Sequence, residues 1–411
     1  MARKSQEPLR ALHRVKKTMN DKKIDKPKSK KILLVSYYFP TRAHAGGLRI
    51  LDMYSKIKEQ SPDTIIDLFS FERPEIDWKI DTAENIFDTI YKAKTEDLSL
   101  SEFLKLRKDD INYYVVDIQF HQGGKHISDY KTIADKVLFT PMECLSKCFY
   151  LNLRPKTFMK SKPSMASLKN QWQMAREEID YSRNADATIC VSKSDASFLK
   201  RVALGKGNIQ GLETGISRIE FPKAFSKNFK AIPFEKRGLD VLYVAYFGSH
   251  TNVTALRWFL DNVHPTIKAA VNGYRLNVVG RGDLSMFHQD DDQSVNLVGE
   301  VKSLEPHIQK ARLGIAPALS GSGFRGKINQ YGVYGLPSVA SNLAVKGLAY
   351  THEVDILTAR TAEKFAQGCV RLLTDQALNE KLGKRARQRC LENYTWQSKW
   401  PQMADIFDLA V

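Results

Sequence analysis

The segment Ser320-Gly321-Ser322-Gly323-Phe324-Arg325-Gly326-Lys327 places three glycines and two cations within eight positions. Such a stretch is costly to order in conformational entropy. The cost makes sense where backbone N–H groups must wrap an anion. Arg325 and Lys327 add positive charge at that place, and a helix starting near Lys327 turns the positive end of its dipole toward it. A diphosphate suits this chemistry, because the same groups would stabilise the charge that grows on a departing nucleoside diphosphate. Gln330, on the first turn of the helix, offers an amide and a carbonyl to ligand hydroxyls. The bland alternative is a flexible surface loop with two solvated cations.

Other candidates are spread along the chain. Gly46 and Gly47 follow an apolar run and precede a helical pattern, so the backbone there can turn sharply and approach a phosphate closely. Their spacing is not the dinucleotide fingerprint G-x-G-x-x-G, and no G-K-[ST] loop for ATP occurs. Glu143 follows a strand end and either faces a cleft or caps the helix that begins beside Leu145. His121 and His126 flank Gly123-Gly124 after another strand, as ligand contacts or as solvated loop residues. Gly248, Asn252 and Gly280 fall at the C-terminal ends of their strands and are donor-site candidates by topology. No H-E-x-x-H or G-x-S-x-G arrangement exists. The five cysteines are an odd, scattered set, which reads as reduced thiols with neither disulfide nor metal site.

The elements that must position these residues repeat one grammar. Lys31–Phe39 is a buried strand closed by Pro40, then come the glycine pair, a helix with Leu48, Leu51, Met53, Tyr54 and Ile57, and a strand over Thr64–Phe71. Thr82–Leu106 reads as helical, Tyr113–Ile118 and Lys136–Thr140 as strands, and Ala187–Ser192 as another. Two prolines and many charges place an interdomain linker at residues 218–238. The pattern then restarts with a strand over Asp240–Phe247, a helix over Val253–Val263 and a strand over Tyr274–Val279. Further strands lie near Val295–Leu297, Leu313–Ala316 and Ser338–Ala340. The expected fold class is therefore α/β, with two Rossmann-like doubly wound domains facing each other across a cleft, at 31–217 and 239–393. A segment over 394–411 follows.

Formal net charge is +17. Residues 1–30 carry eleven Lys or Arg against Glu7, Asp21 and Asp25. This basic leader is either simply solvated or attracted to an anionic membrane surface. Nucleic acid would attract the same charge, but no zinc-finger spacing, RNP-like aromatic pair or helix-turn-helix pattern supports that partner. With no signal region and no run of eighteen apolar residues, the expected location is cytoplasmic, peripheral on the inner face of the membrane if the leader acts as a foot.

Several of these pieces together resemble the retaining nucleotide-sugar glycosyltransferases of family 4, which have the GT-B fold. They are Ile32–Pro40 with Gly46-Gly47; Asn184-Ala185-Asp186 through Val191-Ser192; Glu213-Thr214-Gly215-Ile216; Phe247-Gly248 with Asn252 and Trp258; Val279-Gly280-Arg281-Gly282; Gly299; and Gly321 to Pro337, with Lys327, Gly335 and Pro337 in the family's order. The resemblance spans roughly residues 31–400. It implies a nucleoside-diphosphate sugar as co-substrate, without metal or other cofactor, bound by the second domain through Gly248, Asn252, Gly280, Ser322, Gly323, Phe324 and Gln330. It also implies a glycan or lipid-linked acceptor over the first domain, near Gly46, Gly47, His121 and His126. Arg325, Lys327 and Glu143 would carry catalysis, and the final helix would cross back to the first domain. Many members have two glutamates seven residues apart where this chain has Ser322 and Gln330. That departure leaves a catalytically weak or silent sugar-nucleotide-binding scaffold as the alternative.

Overall fold

The computed structural model describes residues 30–42, 45–71, 85–106, 112–153, 164–287, 292–320 and 325–410. The strands are β1 (Lys31–Ser36), β2 (Ile65–Phe71), β3 (Thr89–Ala93), β4 (Tyr113–Gln119), β5 (Ala134–Thr140), β6 (Ala187–Cys190) and β7 (Ile209–Gly211) in the first domain. In the second they are β8 (Asp240–Val244), β9 (Arg275–Val279), β10 (Val295–Gly299), β11 (Leu313–Ala316), β12 (Ser338–Ser341) and β13 (Leu357–Ala359). All pair in parallel, in the orders β3-β2-β1-β4-β5-β6-β7 and β10-β9-β8-β11-β12-β13.

Both orders reverse direction beside the first strand of their domain, which opens a crevice at the C-terminal strand ends. Parallel strands must be covered on both faces, and β1 shows why its sequence is continuously apolar. Ile32 and Leu34 enter one core with Ile50, Leu51 and Tyr54, while Leu33 and Val35 enter another with Phe69, Phe103 and Val116. The second sheet is covered in the same way, with Val241 and Tyr243 on one side and Leu242 and Val244 on the other. The fold is GT-B.

Two local expectations need correction. The described part of Thr82–Leu106 is not one helix. Thr89-Ile90-Tyr91 is β-branched and aromatic and pairs with β2 at the sheet edge, and Ser99 caps a separate short helix over Leu100–Lys105. Gly46 and Gly47 are not in a loop before the helix but in its first turn, the helix running Ala45–Gln60. The segment 218–238 that joins the two units is itself packed. It forms turns at Pro222–Phe225 and Phe234–Lys236, and Phe221 and Ala224 are fully buried in the second core. The three-residue strands β7 and β13 were too short to leave a periodic signal.

The helix Trp396–Ile406 packs on the first domain, although it follows the second in sequence. Trp396, Trp400, Met403, Phe407 and Leu409 share a core with Ile32, Leu34 and Ile50. Among the described residues, no helix is long and apolar enough to cross a membrane. Trp400 is 4% exposed, so Trp400→Ala should destabilise the first domain by about 3–5 kcal/mol, the usual cost of truncating a buried tryptophan. Urea unfolding measures this, and a loss below 1 kcal/mol would show that the returning helix is a dispensable attachment.

Candidate active site

A cavity of about 600 Å³ lies between the domains. Its first-domain wall is built from segments that leave strand ends: Tyr38 after β1, Phe120 to Gln122 after β4, Pro141 to Glu143 after β5, and Thr214 to Ser217 after β7. The start of the Ala45–Gln60 helix adds Gly46, Arg49 and Asp52, and the second domain contributes Gly326 and Gln330. Two wall residues, Phe120 and Met142, have positive φ, 71° and 63°. Each such non-glycine conformation costs of order 1–3 kcal/mol and is held by its surroundings. Here the strained positions turn His121 and Glu143 toward the cavity from adjacent strands.

Glu143 is exposed in this wall and does not cap the neighbouring helix. That role belongs to Glu178, whose carboxylate accepts from the N–H groups of Leu145 (2.9 Å) and Ser146 (2.8 Å) and from Ser146 Oγ (2.6 Å). Of the two readings of Glu143, the capping one is therefore excluded.

Beneath the wall lies a group of buried charges. Arg49 donates to Thr214 Oγ1 and to Leu212 O, both at 2.9 Å. Burial lowers its pKa to about 10. Asp52 accepts from Ser217 Oγ at 2.9 Å, and burial pushes its carboxyl up to about 7, partly offset by that hydrogen bond. Glu220, also lining the cavity, is raised to about 7 by burial alone. Asp117 is raised to about 6 by burial, while Tyr54 and Gln119 donate to it at 2.7 and 2.6 Å.

On the other side, the Gly326–Val333 helix points its N-terminus at the cavity. Lys327 is half-buried, with Nζ 4.5 Å from the centre of the Tyr243 ring. Among the described residues it has no hydrogen-bond or ion-pair partner. Desolvation, then repulsion from Arg325, lowers its pKa to about 7. Arg325 is lowered by desolvation and is attracted by Asp195 of the first domain. Nearby, Lys147 Nζ binds Asp195 at 2.5 Å and Ser194 Oγ at 2.9 Å. An added Cβ on Gly347 would come within 3.1 Å of Ser194. The domains thus touch beside the cavity.

Residues 239–375 match the family model of Glycosyl transferases group 1. Over this stretch the second domain is therefore similar to group 1 glycosyltransferases. Solved structures share the architecture over most of the chain. Sucrose-phosphate synthase from Thermosynechococcus elongatus aligns with a TM-score of 0.66 at 16% identity, over 92% of this chain and 98% of that one. HepE of Anabaena, solved with UDP and glucose, aligns with 0.64 at 12%, over 92% and 99%. A TarM mutant of S. aureus, solved with fondaparinux, α-GlcNAc-glycerol and UDP, aligns with 0.63 at 10%, over 92% and 100%. At these identities the likeness establishes the fold. No curated protein sequence matches the chain.

The structure gathers some of the sequence-derived candidates and disperses others. Gly46, His121, Glu143 and Gln330 line the cavity, with Arg325 and Lys327 on either side of lining residue Gly326. Ser322, Gly323 and Phe324 lie outside the described residues. Gly47 is buried inside its helix and does not face the cavity. His126 lines a neighbouring pocket instead. Gly248, Asn252 and Gly280 are also away from the cavity wall, for local reasons. Asn252 uses its amide to hold Tyr246 O at 2.9 Å, and a Cβ on Gly280, at φ 143°, would fall 1.7 Å from Ala245 O. Among the described residues, no cluster of three or more His, Cys, Asp or Glu could hold a metal.

Sequence reasoning missed Arg49, Asp52 and Glu220. A signal existed for the first two: Arg49, Asp52 and Lys56 form a charged stripe at i, i+3, i+7 on a helix whose apolar face is already broad. All three are buried. The carboxyl of Asp52 holds its proton to about pH 7 in the native state, against about 4 when unfolded. The unfolded chain therefore releases this proton first, and the residue lowers stability progressively as pH rises between those values. Asp52→Asn should raise Tm at pH 8 and leave it nearly unchanged at pH 4. Scanning calorimetry at both pH values reads the difference, and an equal shift at the two would remove the proton from the explanation.

Proposed function

We propose that the chain transfers a sugar, with retention of anomeric configuration, from a nucleoside-diphosphate sugar to a glycan or lipid-linked acceptor. The observation that carries this reading is Lys327: a desolvated cation without an ionic partner among the described residues, beside a helix N-terminus that opens into a cavity shared by both domains. An unpaired buried ammonium is costly until an anion arrives. A diphosphate is an anion of the right shape for the helix end and the two cations. HepE and TarM were solved with UDP, which makes UDP the first nucleotide to test here.

The chemistry then needs little from side-chain acids. As the bond between the anomeric carbon and the diphosphate oxygen breaks, the acceptor oxygen bonds to the same face of that carbon. The acceptor's proton passes to the departing diphosphate oxygen. Arg325, Lys327 and the helix dipole stabilise the negative charge that develops there. Glu143, exposed in the opposite wall, orients the acceptor hydroxyl.

Diphosphate binding should be linked to protonation of Lys327. Near pH 8 the free ammonium is largely deprotonated, given a pKa of about 7. A bound diphosphate favours the charged form, so binding takes up a proton and affinity falls as pH rises from 7 to 9. Titration calorimetry with UDP in buffers of different ionisation enthalpy reads the uptake. Lys327→Ala and Arg325→Ala should each weaken binding by roughly 1–3 kcal/mol, and the lysine variant should lose the pH slope. Unchanged UDP affinity in both variants would refute the assignment.

With a turned-over acceptor in hand, Glu143→Gln should reduce kcat less than the Arg325→Ala/Lys327→Ala pair does at saturation. The anomeric coupling constant of the product, read by NMR, should match that of the donor. Abolished turnover in Glu143→Gln, with the double variant still active, would mean that a side-chain base or nucleophile performs the reaction.

A further inference from the structure

A groove of about 550 Å³ lies on the first domain and shares no lining residue with the interdomain cavity. Three helices build it: Leu145–Leu153, Met165–Asn184 and Lys193–Val202. Each turns a stripe at helical spacing into it. The first contributes Phe149, Tyr150 and Leu153, the second Trp172, Ala175 and Ile179, and the third Phe198 and Val202. The Tyr150 and Phe198 rings meet at 5.4 Å. Met165 and Leu168 extend the second stripe toward the start of its helix, at i, i+3, i+7 with Trp172. The same helix reaches the interdomain cavity with its other side, through Met174.

An apolar stripe is normally covered, and this one is not. Leu153 is 56% exposed, Trp172 51% and Met165 81%. With Tyr150 they are four of the ten large hydrophobic side chains left exposed among the described residues, so the exposure is concentrated on one face rather than scattered. The charges at its edge are mainly positive. Lys169 and Arg176 are exposed on the groove side of their helix, and Arg201 is exposed beside Phe198 and Val202. Asp180, the one acid in the lining, is 4.0 Å from Arg176 and 3.8 Å from Arg183, so a single carboxylate is shared at long range by two guanidinium groups. The other acids of these helices are occupied elsewhere: Glu177 contacts His121, and Glu178 and Asp195 are buried. Trp172 stands at the boundary, with the Arg176 guanidinium 5.9 Å from its ring. Amphipathic rings beside long cationic side chains suit the level where acyl chains meet anionic headgroups.

We propose that this face docks the protein on an anionic lipid bilayer. Leu153, Met165 and Trp172 enter the edge of the acyl layer, and Lys169, Arg176 and Arg201 meet headgroup phosphates. Shallow apolar insertion and electrostatic attraction act together, as they do for helices that lie in a membrane interface. The net charge of +17 draws the whole chain to such a surface, and the exposed stripe selects the face that lands. Docking leaves the interdomain cavity free, because the two share no lining residue. The inference does not depend on the glycosyl-transfer reading. It also differs from a purely electrostatic foot at residues 1–30, because it requires apolar side chains to insert.

The test uses the full chain with vesicles of phosphatidylcholine alone and of phosphatidylcholine mixed with phosphatidylglycerol. Cosedimentation at physiological salt should show saturable binding to the mixed vesicles and little to the neutral ones. The pair Leu153→Gln/Trp172→Gln should weaken binding roughly tenfold or more, through lost apolar burial. Arg176→Ala should weaken it roughly fivefold, the share of one cation near such a surface. Asp180→Lys should strengthen it, a change of opposite sign that misfolding cannot mimic. Acyl chains brominated near the headgroup should quench the tryptophan fluorescence of the parent and much less that of Trp172→Phe, which separates insertion at the groove from adhesion through the leader. Thermal unfolding of each variant should match the parent, since the substituted side chains lie at the surface. The inference is overturned if the mixed vesicles are not bound, if neutral vesicles bind equally well, if the groove variants bind as the parent does, or if quenching persists in Trp172→Phe.

Discussion

The chain passes between its two domains twice, and the two passages are bonded to each other. Ile216 donates its N–H to Tyr394 O at 2.6 Å and pairs in parallel with Thr395. Side chains fix where this contact occurs. Lys399 binds the buried carboxylate of Glu213 at 2.5 Å, Arg49 holds Leu212 and Thr214, Asp52 holds Ser217, and Lys56 reaches Gln397. An added Cβ on Gly215 would come within 2.7 Å of the Trp396 ring, so glycine is what lets the strands approach this closely. Breaking one partner of a buried charged contact leaves the other uncompensated, so these bonds resist sliding of one passage past the other. The cavity depends on that, because Thr214 to Ser217 form part of its wall.

The same loss of water acts on both sides of the cleft. It raises the carboxyls of Asp52 in the first domain and of Glu220 in the connecting segment, and lowers cations in the second, Lys327 and Arg325. Ionisation of Asp52, Glu220 and Lys327 is thereby disfavoured until something enters that can replace the water. Perturbed groups of this kind concentrate at functional sites because the environment that suppresses a charge also strengthens its interaction with a ligand. The cavity is thus polar by composition, with the charges of Asp52, Glu220 and Lys327 weakened by the loss of water.

Much of the architecture was legible in the sequence. The apolar run Ile32–Val35, the restart at Asp240 and the glycines at strand ends read directly as two doubly wound units, because parallel strands buried on both faces need continuous hydrophobicity. Loop residues at the ends of such strands were also legible as candidates, since topology sends those ends to the crevice. His121 and Glu143, which line the cavity, were found in this way, whereas Gly46 and Gln330 line it from helices. Gly248, Asn252 and Gly280 show the limit of the argument. They sit at the same kind of strand end but serve the turn itself, and local spacing does not separate a residue that faces a ligand from one that supports the backbone.

Sequence alone determined the fold class and the position of the cation pair, because hydrophobic periodicity and glycine spacing are local properties of the chain. Tertiary structure decided which charges are buried. Arg49, Asp52 and Lys56 look like an ordinary solvated stripe until the returning segment at Tyr394–Gln397 covers them. Glu143 is the plausible cap by proximity until the Met165–Asn184 helix brings Glu178 to Leu145. Whether a charge keeps its water depends on residues far away in the chain, and the solvation energy at stake is larger than any local preference.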